Sequence, residues 1–118
     1  MNNELEILTE KIKQFCEDRD WDQFHTPKDL AIGLVTEASE LLDIFRFMDD
    51  GSCRAFFEDS NKREDIEDEV ADIFFFLLRF CQLNDIDLKS SLDRKILKNG
   101  KKYPLDKSKG SNKKYSEF

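Results

Sequence analysis

Glycine and proline are scarce, with four and two residues among 118, which speaks against a loop-rich or many-turned β architecture. Cysteine is sparse as well. Cys16, Cys53 and Cys81 are odd in number, widely spaced and in no CxxC pair, so neither a disulfide framework nor a structural zinc site is suggested. They are expected as reduced thiols, with Cys81 in a core. No apolar run approaches the roughly 18 to 20 residues of a membrane span, and the polar start MNNELEILTEK lacks the apolar core of a signal peptide. A cytoplasmic protein with no membrane partner is the expectation.

What is present points to a helical domain. Hydrophobic residues make up 39% of the chain and include 11 Phe, enough for the core of one domain and too much for wholesale disorder. Net charge is −7, unevenly placed: residues 94–118 carry nine Lys or Arg against Asp106 and Glu117, leaving −14 on the remainder. An acidic body with a basic tail is a poor binder of nucleic-acid polymers, yet it suits a small polyphosphate if a metal ion joins the two.

Periodicity predicts an all-α chain. Leu5, Leu8, Ile12 and Phe15 recur at spacings of three and four, predicting a helix over about 3–18. Thr26 as cap, Pro27 at the first helical position and Asp29 three residues after the cap begin a second helix, expected to reach Met48. Asp49, Asp50 and Gly51 predict a loop to about Asn61, with a short turn at 54–58. A third helix is expected from Asn61 to Leu83, and a fourth from Leu88 to a stop at Asn99 and Gly100. These divide the chain into a four-helix unit, 1–100, and a basic arm, 101–118, expected to be extended or partly mobile.

Four acids sit where apolar residues are expected. On a wheel of about 100° per residue with Leu34 at zero, Ala38, Leu41 and Phe45 complete a core stripe, while Glu37 and Glu40 interrupt a second apolar stripe shared with Ile44 and Met48. With Ile66 at zero the pattern repeats: Val70, Ile73 and Leu77 form the stripe, and Glu69 and Asp72 interrupt Phe76, Phe80 and Leu83. Converging carboxylates about 6 Å apart repel by roughly 3 kcal/mol per pair at an effective dielectric of 20. Lys and Arg are scarce on these two helices, so a hard divalent cation is the simplest partner, and all-oxygen ligation favours Mg²⁺ or Mn²⁺ over Zn²⁺. A di-iron bundle needs ExxH on two helices, and both fourth positions here are acids. Ion pairing of the acids in a purely structural dimer is a further reading, as is a non-catalytic helical module that binds nucleotide or metal.

ExxE at Glu37 and Glu40, a spacer of 28 residues, then ExxD at Glu69 and Asp72, resembles the signature of the MazG-like, all-α nucleoside triphosphate pyrophosphatases. The flanking RDWDQFHTPKDLAIGLVTEASELLDIF, EDEVADI, KNGKKYP and KKY are similar to the dCTP pyrophosphatase subgroup, over about Arg19 to Tyr115. The resemblance implies Mg²⁺-dependent hydrolysis of a (deoxy)nucleoside triphosphate, dCTP-like or modified, between the α and β phosphates, in nucleotide-pool house-cleaning. It implies Glu37, Glu40, Glu69 and Asp72 as metal ligands, one glutamate also orienting the attacking water. It places Trp21, His25 and Phe47 at the nucleobase pocket and Lys95, Asn99, Tyr103, Lys114 and Tyr115 toward the phosphates. Three positions depart from the subgroup: Ile12 stands for a histidine, Phe76 for a substrate-facing tyrosine, and Phe47 for a tryptophan.

Helices two and three are apolar on more than half of their circumference, notably over 73–78. That is more surface than one small subunit can cover, so a homodimer or homotetramer is expected.

Overall fold

The computed structural model describes residues 3–118, so the first two residues of the expected 1–100 unit lie outside the described residues. The chain is all-helical, with no strand among the described residues. It forms two compact units, divided between Asp85 and Ile86.

In the first unit, α1 spans Glu4–Asp18. Asn3 caps it: its side-chain oxygen accepts from the Glu6 N–H at 2.9 Å, and the Glu6 carboxylate accepts in return from the Asn3 N–H. The helix closes through Asp20, held at φ 55°, with the Asp20 N–H donating to Glu17 O and the Trp21 N–H to Cys16 O. This is the left-handed stop usually supplied by glycine. A 3-10 turn, Asp22–Phe24, leads to α2, Pro27–Phe45, where Thr26 Oγ1 accepts from the Asp29 N–H.

α2 ends three residues before the expected Met48. Arg46 turns extended and Phe47 takes φ 64°, because the following segment folds back to lay Phe56 and Phe57 against Phe45, both stacked with ring centroids 6.2 Å away. The expected loop is also largely helical. Asp49 accepts from the Ser52 N–H at 2.8 Å and starts α3, Asp50–Ala55, which runs into a 3-10 turn, Phe56–Glu58. Asp59 then caps α4, Ser60–Leu83, one residue ahead of the expected start.

α2 and α4 form the principal helix pair, and α1 packs on α4. The buried side chains are Cys16, Leu30, Ile66, Leu78, Arg79 and Cys81, and the three cysteines are unpaired thiols. Ala38 and Val70, assigned to the core stripes, are exposed, whereas Glu37 and Glu69 are half-buried. The α2–α4 seam therefore runs closer to the acids than the wheel predicts.

In the second unit, Asp87 caps α5, Leu88–Lys102. The helix passes through Asn99 and Gly100 rather than stopping there, since Gly100 keeps helical geometry, and ends just before Pro104, which cannot continue it. The segment beyond is not simply extended. It holds α6, Leu105–Ser108, and a final 3-10 turn, Tyr115–Glu117, and Tyr103 meets the rings of Tyr115 and Phe118 edge-on at 6.0 Å each.

Candidate metal and nucleotide site

Glu37 and Glu40 are one turn apart on α2 and face Glu69 on α4. Each offers a carboxylate oxygen, and the three oxygens lie within 4.8 Å of one another. Mg²⁺ takes oxygens at about 2.0–2.1 Å with neighbouring ligand oxygens about 3 Å apart, so closing three oxygens on one such ion needs shifts of up to about 1 Å per side chain. None of the four motif acids forms an ion pair among the described residues, whose salt bridges all lie elsewhere. Glu37 Oε2 and Glu69 Oε2 are buried with no donor reaching them. Orphaned anionic oxygens in a crowd of acids fit a cation of two charges with oxygen preference.

The electrostatics carry the same mark. Burial, then the neighbouring Glu40 carboxyl, then Glu69 and the charge of Asp72 push Glu37 up to about 7. Glu69 is raised as well, burial leading and Glu40 and Asp72 adding to it. Asp72 does not join the three-oxygen cluster. It is exposed, and it lines a pocket of about 520 Å³ whose walls are Phe15, Trp21, Phe75 and Phe76, with Lys11 and Ile12 at α1. Phe15 sets its edge against both Trp21 and Phe75, at 5.6 and 5.9 Å. An aromatic slot thus opens beside the acids.

The other candidate residues are placed as follows. His25 accepts through Nδ1 from Arg79 Nε at 2.9 Å and meets Trp21 edge-on at 6.2 Å. Phe47 is 93% exposed beneath the Arg46 guanidinium and does not line the aromatic pocket. Lys95, Asn99, Tyr103, Lys114 and Tyr115 belong to the second unit. There Lys95 lines a shallow groove on α5, Tyr103 and Tyr115 share the terminal ring cluster, and the Lys114 N–H donates to Glu117. Sequence reasoning missed Phe15, Phe75 and Lys11 as pocket walls, because their helical spacing looks like core or surface, and it missed Arg79. The signal for Arg79 was there: a lone cation inside IFFFLLRFC.

An α2–α4 pair bearing doubled acid motifs defines a helical, cation-seeking site, and residues 32–118 match the MazG-like family. The chain belongs to the MazG-like family. Human dCTP pyrophosphatase 1 is 29% identical over 114 residues, covering 97% of this chain and 67% of that protein. The bovine dCTP pyrophosphatase 1 is 30% identical over the same length, with 68% of it covered. The crystal structure of a pyrophosphatase from Archaeoglobus fulgidus matches with a TM-score of 0.79 and 33% identity, over 88% of this chain and 95% of that one.

Proposed function

We infer that this chain is a nucleoside triphosphate pyrophosphatase that hydrolyses (deoxy)nucleoside triphosphates, dCTP-like or modified, to a monophosphate and pyrophosphate with Mg²⁺ as cofactor and Mn²⁺ as a possible substitute. The carrying observation is the three-carboxylate cluster that pairs with no protein cation among the described residues, set beside an aromatic pocket. The names of the relatives support the reaction class and the dCTP-like substrate.

Glu37, Glu40 and Glu69 would hold the ion, with Asp72 at the pocket side. Bound there, it supplies neutralisation of phosphate charge and a lowered pKa for water. The chain's own residues do the rest. Trp21 offers a π face to the base, and a glutamate of the cluster, Glu40 being the exposed one, orients the attacking water and takes its proton. His25 completes the base side beside Trp21 and Phe76 closes its apolar wall, while Phe47 stands outside this pocket. Lys95, Asn99, Tyr103, Lys114 and Tyr115 are the proposed phosphate-binding residues, and 1–100 with the 101–118 arm the proposed functional unit.

A homodimer or homotetramer belongs to this reading. Ile32, Val35 and Leu42 on α2 and Leu92, Ile96 and Leu97 on α5 leave apolar surface exposed, more than a lone subunit keeps in water. The role is removal of unwanted nucleotides from the cellular pool. Among the described residues no helix is long and apolar enough to cross a membrane.

The test is pyrophosphate release from a panel of deoxynucleoside triphosphates with Mg²⁺. Glu40→Gln and Glu69→Gln should lower kcat by about 10²-fold or more, with substrate still bound. A wild-type protein that binds nucleotide without product would make it a binding module, and acid variants with full activity would move the chemistry elsewhere.

A further inference from the structure

Arg79 is fully buried, 0% exposed, in the apolar stretch of α4. All three guanidinium nitrogens are engaged. Nε donates to His25 Nδ1 at 2.9 Å, Nη1 to Gln82 Oε1 at 2.6 Å, and Nη2 pairs with Asp22 Oδ1. Burying a guanidinium is costly, and its partner Asp22 is half exposed, so an apolar side chain would serve packing at least as well.

What Arg79 supplies is geometry. The segment from Trp21 to His25 is otherwise tied by local hydrogen bonds: Trp21 to the end of α1, Phe24 to Trp21, His25 to Asp22, Gln23 to Asp20. Among the described residues, Arg79 makes the only hydrogen bonds that join this turn to α4. The turn carries Trp21, a wall of the aromatic pocket, and His25, whose ring lies against Trp21. Because His25 Nδ1 accepts from a permanent cation, the neutral ring carries its proton on Nε2 and is a donor there.

We propose that Arg79 is a positioning residue for the base end of the site: by clamping Asp22 and His25 it holds the Trp21 face and the His25 Nε2–H donor for a nucleobase bearing a hydrogen-bond acceptor. It thereby sets affinity and base discrimination without touching the substrate. The inference rests on the nucleotide reading above. Lysine cannot replace the fork, since one ammonium does not reproduce three fixed donors in a plane.

Trp21 is the only tryptophan, so its fluorescence reports this turn directly. Arg79→Gln, Arg79→Lys and Asp22→Asn are compared with wild type in three measurements. These are thermal unfolding, acrylamide quenching of Trp21, and steady-state kinetics on four deoxynucleoside triphosphates with Mg²⁺. In folded Arg79→Gln, Trp21 should quench more readily, KM should rise about tenfold, kcat should stay within about threefold, and the ratio of kcat/KM between best and worst base should shrink. Arg79→Lys should recover part of the KM and of the base ratio. Asp22→Asn, at a half-exposed site, should stay folded and move quenching, KM and base ratio the same way by less.

If Arg79→Gln does not fold, Asp22→Asn decides alone. Wild-type quenching, KM and base ratio in a folded variant overturn the inference and leave the function standing. So does a fall in kcat in step with melting temperature while Trp21 quenching is unchanged. A wild-type protein that releases no pyrophosphate overturns the function, and the substrate half of this inference with it.

Discussion

Glu37 titrates near 7 because burial and the carboxyls around it all disfavour its charged form. The fold therefore favours the protonated state. The stability linked to this group is complete below its ordinary value near 4.5 and is lost as pH rises through about 7. Measured against Glu37→Gln, the melting temperature of the metal-free wild type should fall between about pH 5 and 8; a difference that stays constant with pH would contradict the assignment. His25 works in the opposite sense. Burial and Arg79 depress its pKa, so its contribution is present above its ordinary 6.5 and is lost as pH falls. The acid cluster was legible in the sequence because four carboxylates broke two apolar stripes in the same way. The Arg79 clamp was not, because its acceptors His25 and Asp22 lie 54 and 57 residues away and nothing local names them.

At the scale of elements, α2 and α4 approach closely enough that a methyl group at Gly33 would meet the Phe76 ring at 2.5 Å. Gly33 thus lets Phe76 lie across α2 and wall the pocket. Gly33→Ala should destabilise by about 1–3 kcal/mol in urea unfolding, overriding the gain of about 1 kcal/mol in helix propensity, and should raise KM as the ring is displaced. Equal or greater stability with unchanged KM would mean that the seam is looser than described. Asp59 accepts from two N–H groups at the start of α4, and Asp59→Ala should cost about 1 kcal/mol. The start of α2 was legible because the Thr26 cap and Pro27 are local chemistry, whereas the cap of α4 was expected at Asn61 and is Asp59 instead. The end of α2 was not. Phe47 turns left-handed to suit rings at 56 and 57, a tertiary demand, and the Asn99–Gly100 stop went unused because nothing required a turn before Pro104.

For the whole molecule, the small buried core and the broad exposed apolar faces of α2 and α5 belong together. Leu42, 65% exposed, would sit in a subunit interface. Leu42→Glu should shift the mass in light scattering toward the monomer, whereas a wild-type chain already monomeric at micromolar concentration would remove the oligomer from the account. The all-α class was legible from periodicity and from the lack of glycine and proline. How residues 86–118 organise was less so, because the packing of Tyr103 with Tyr115 and Phe118 depends on rings spaced without helical period.

The central claim is that Glu37, Glu40 and Glu69 form a divalent-cation site, and calorimetric titration of Mg²⁺ at pH 7 in buffers of different ionisation enthalpy tests it most directly. Saturable binding is expected, with release of a fraction of a proton from Glu37, abolished in the Glu37→Gln, Glu69→Gln double variant. No binding by wild type, or the same binding by the double variant, would contradict it.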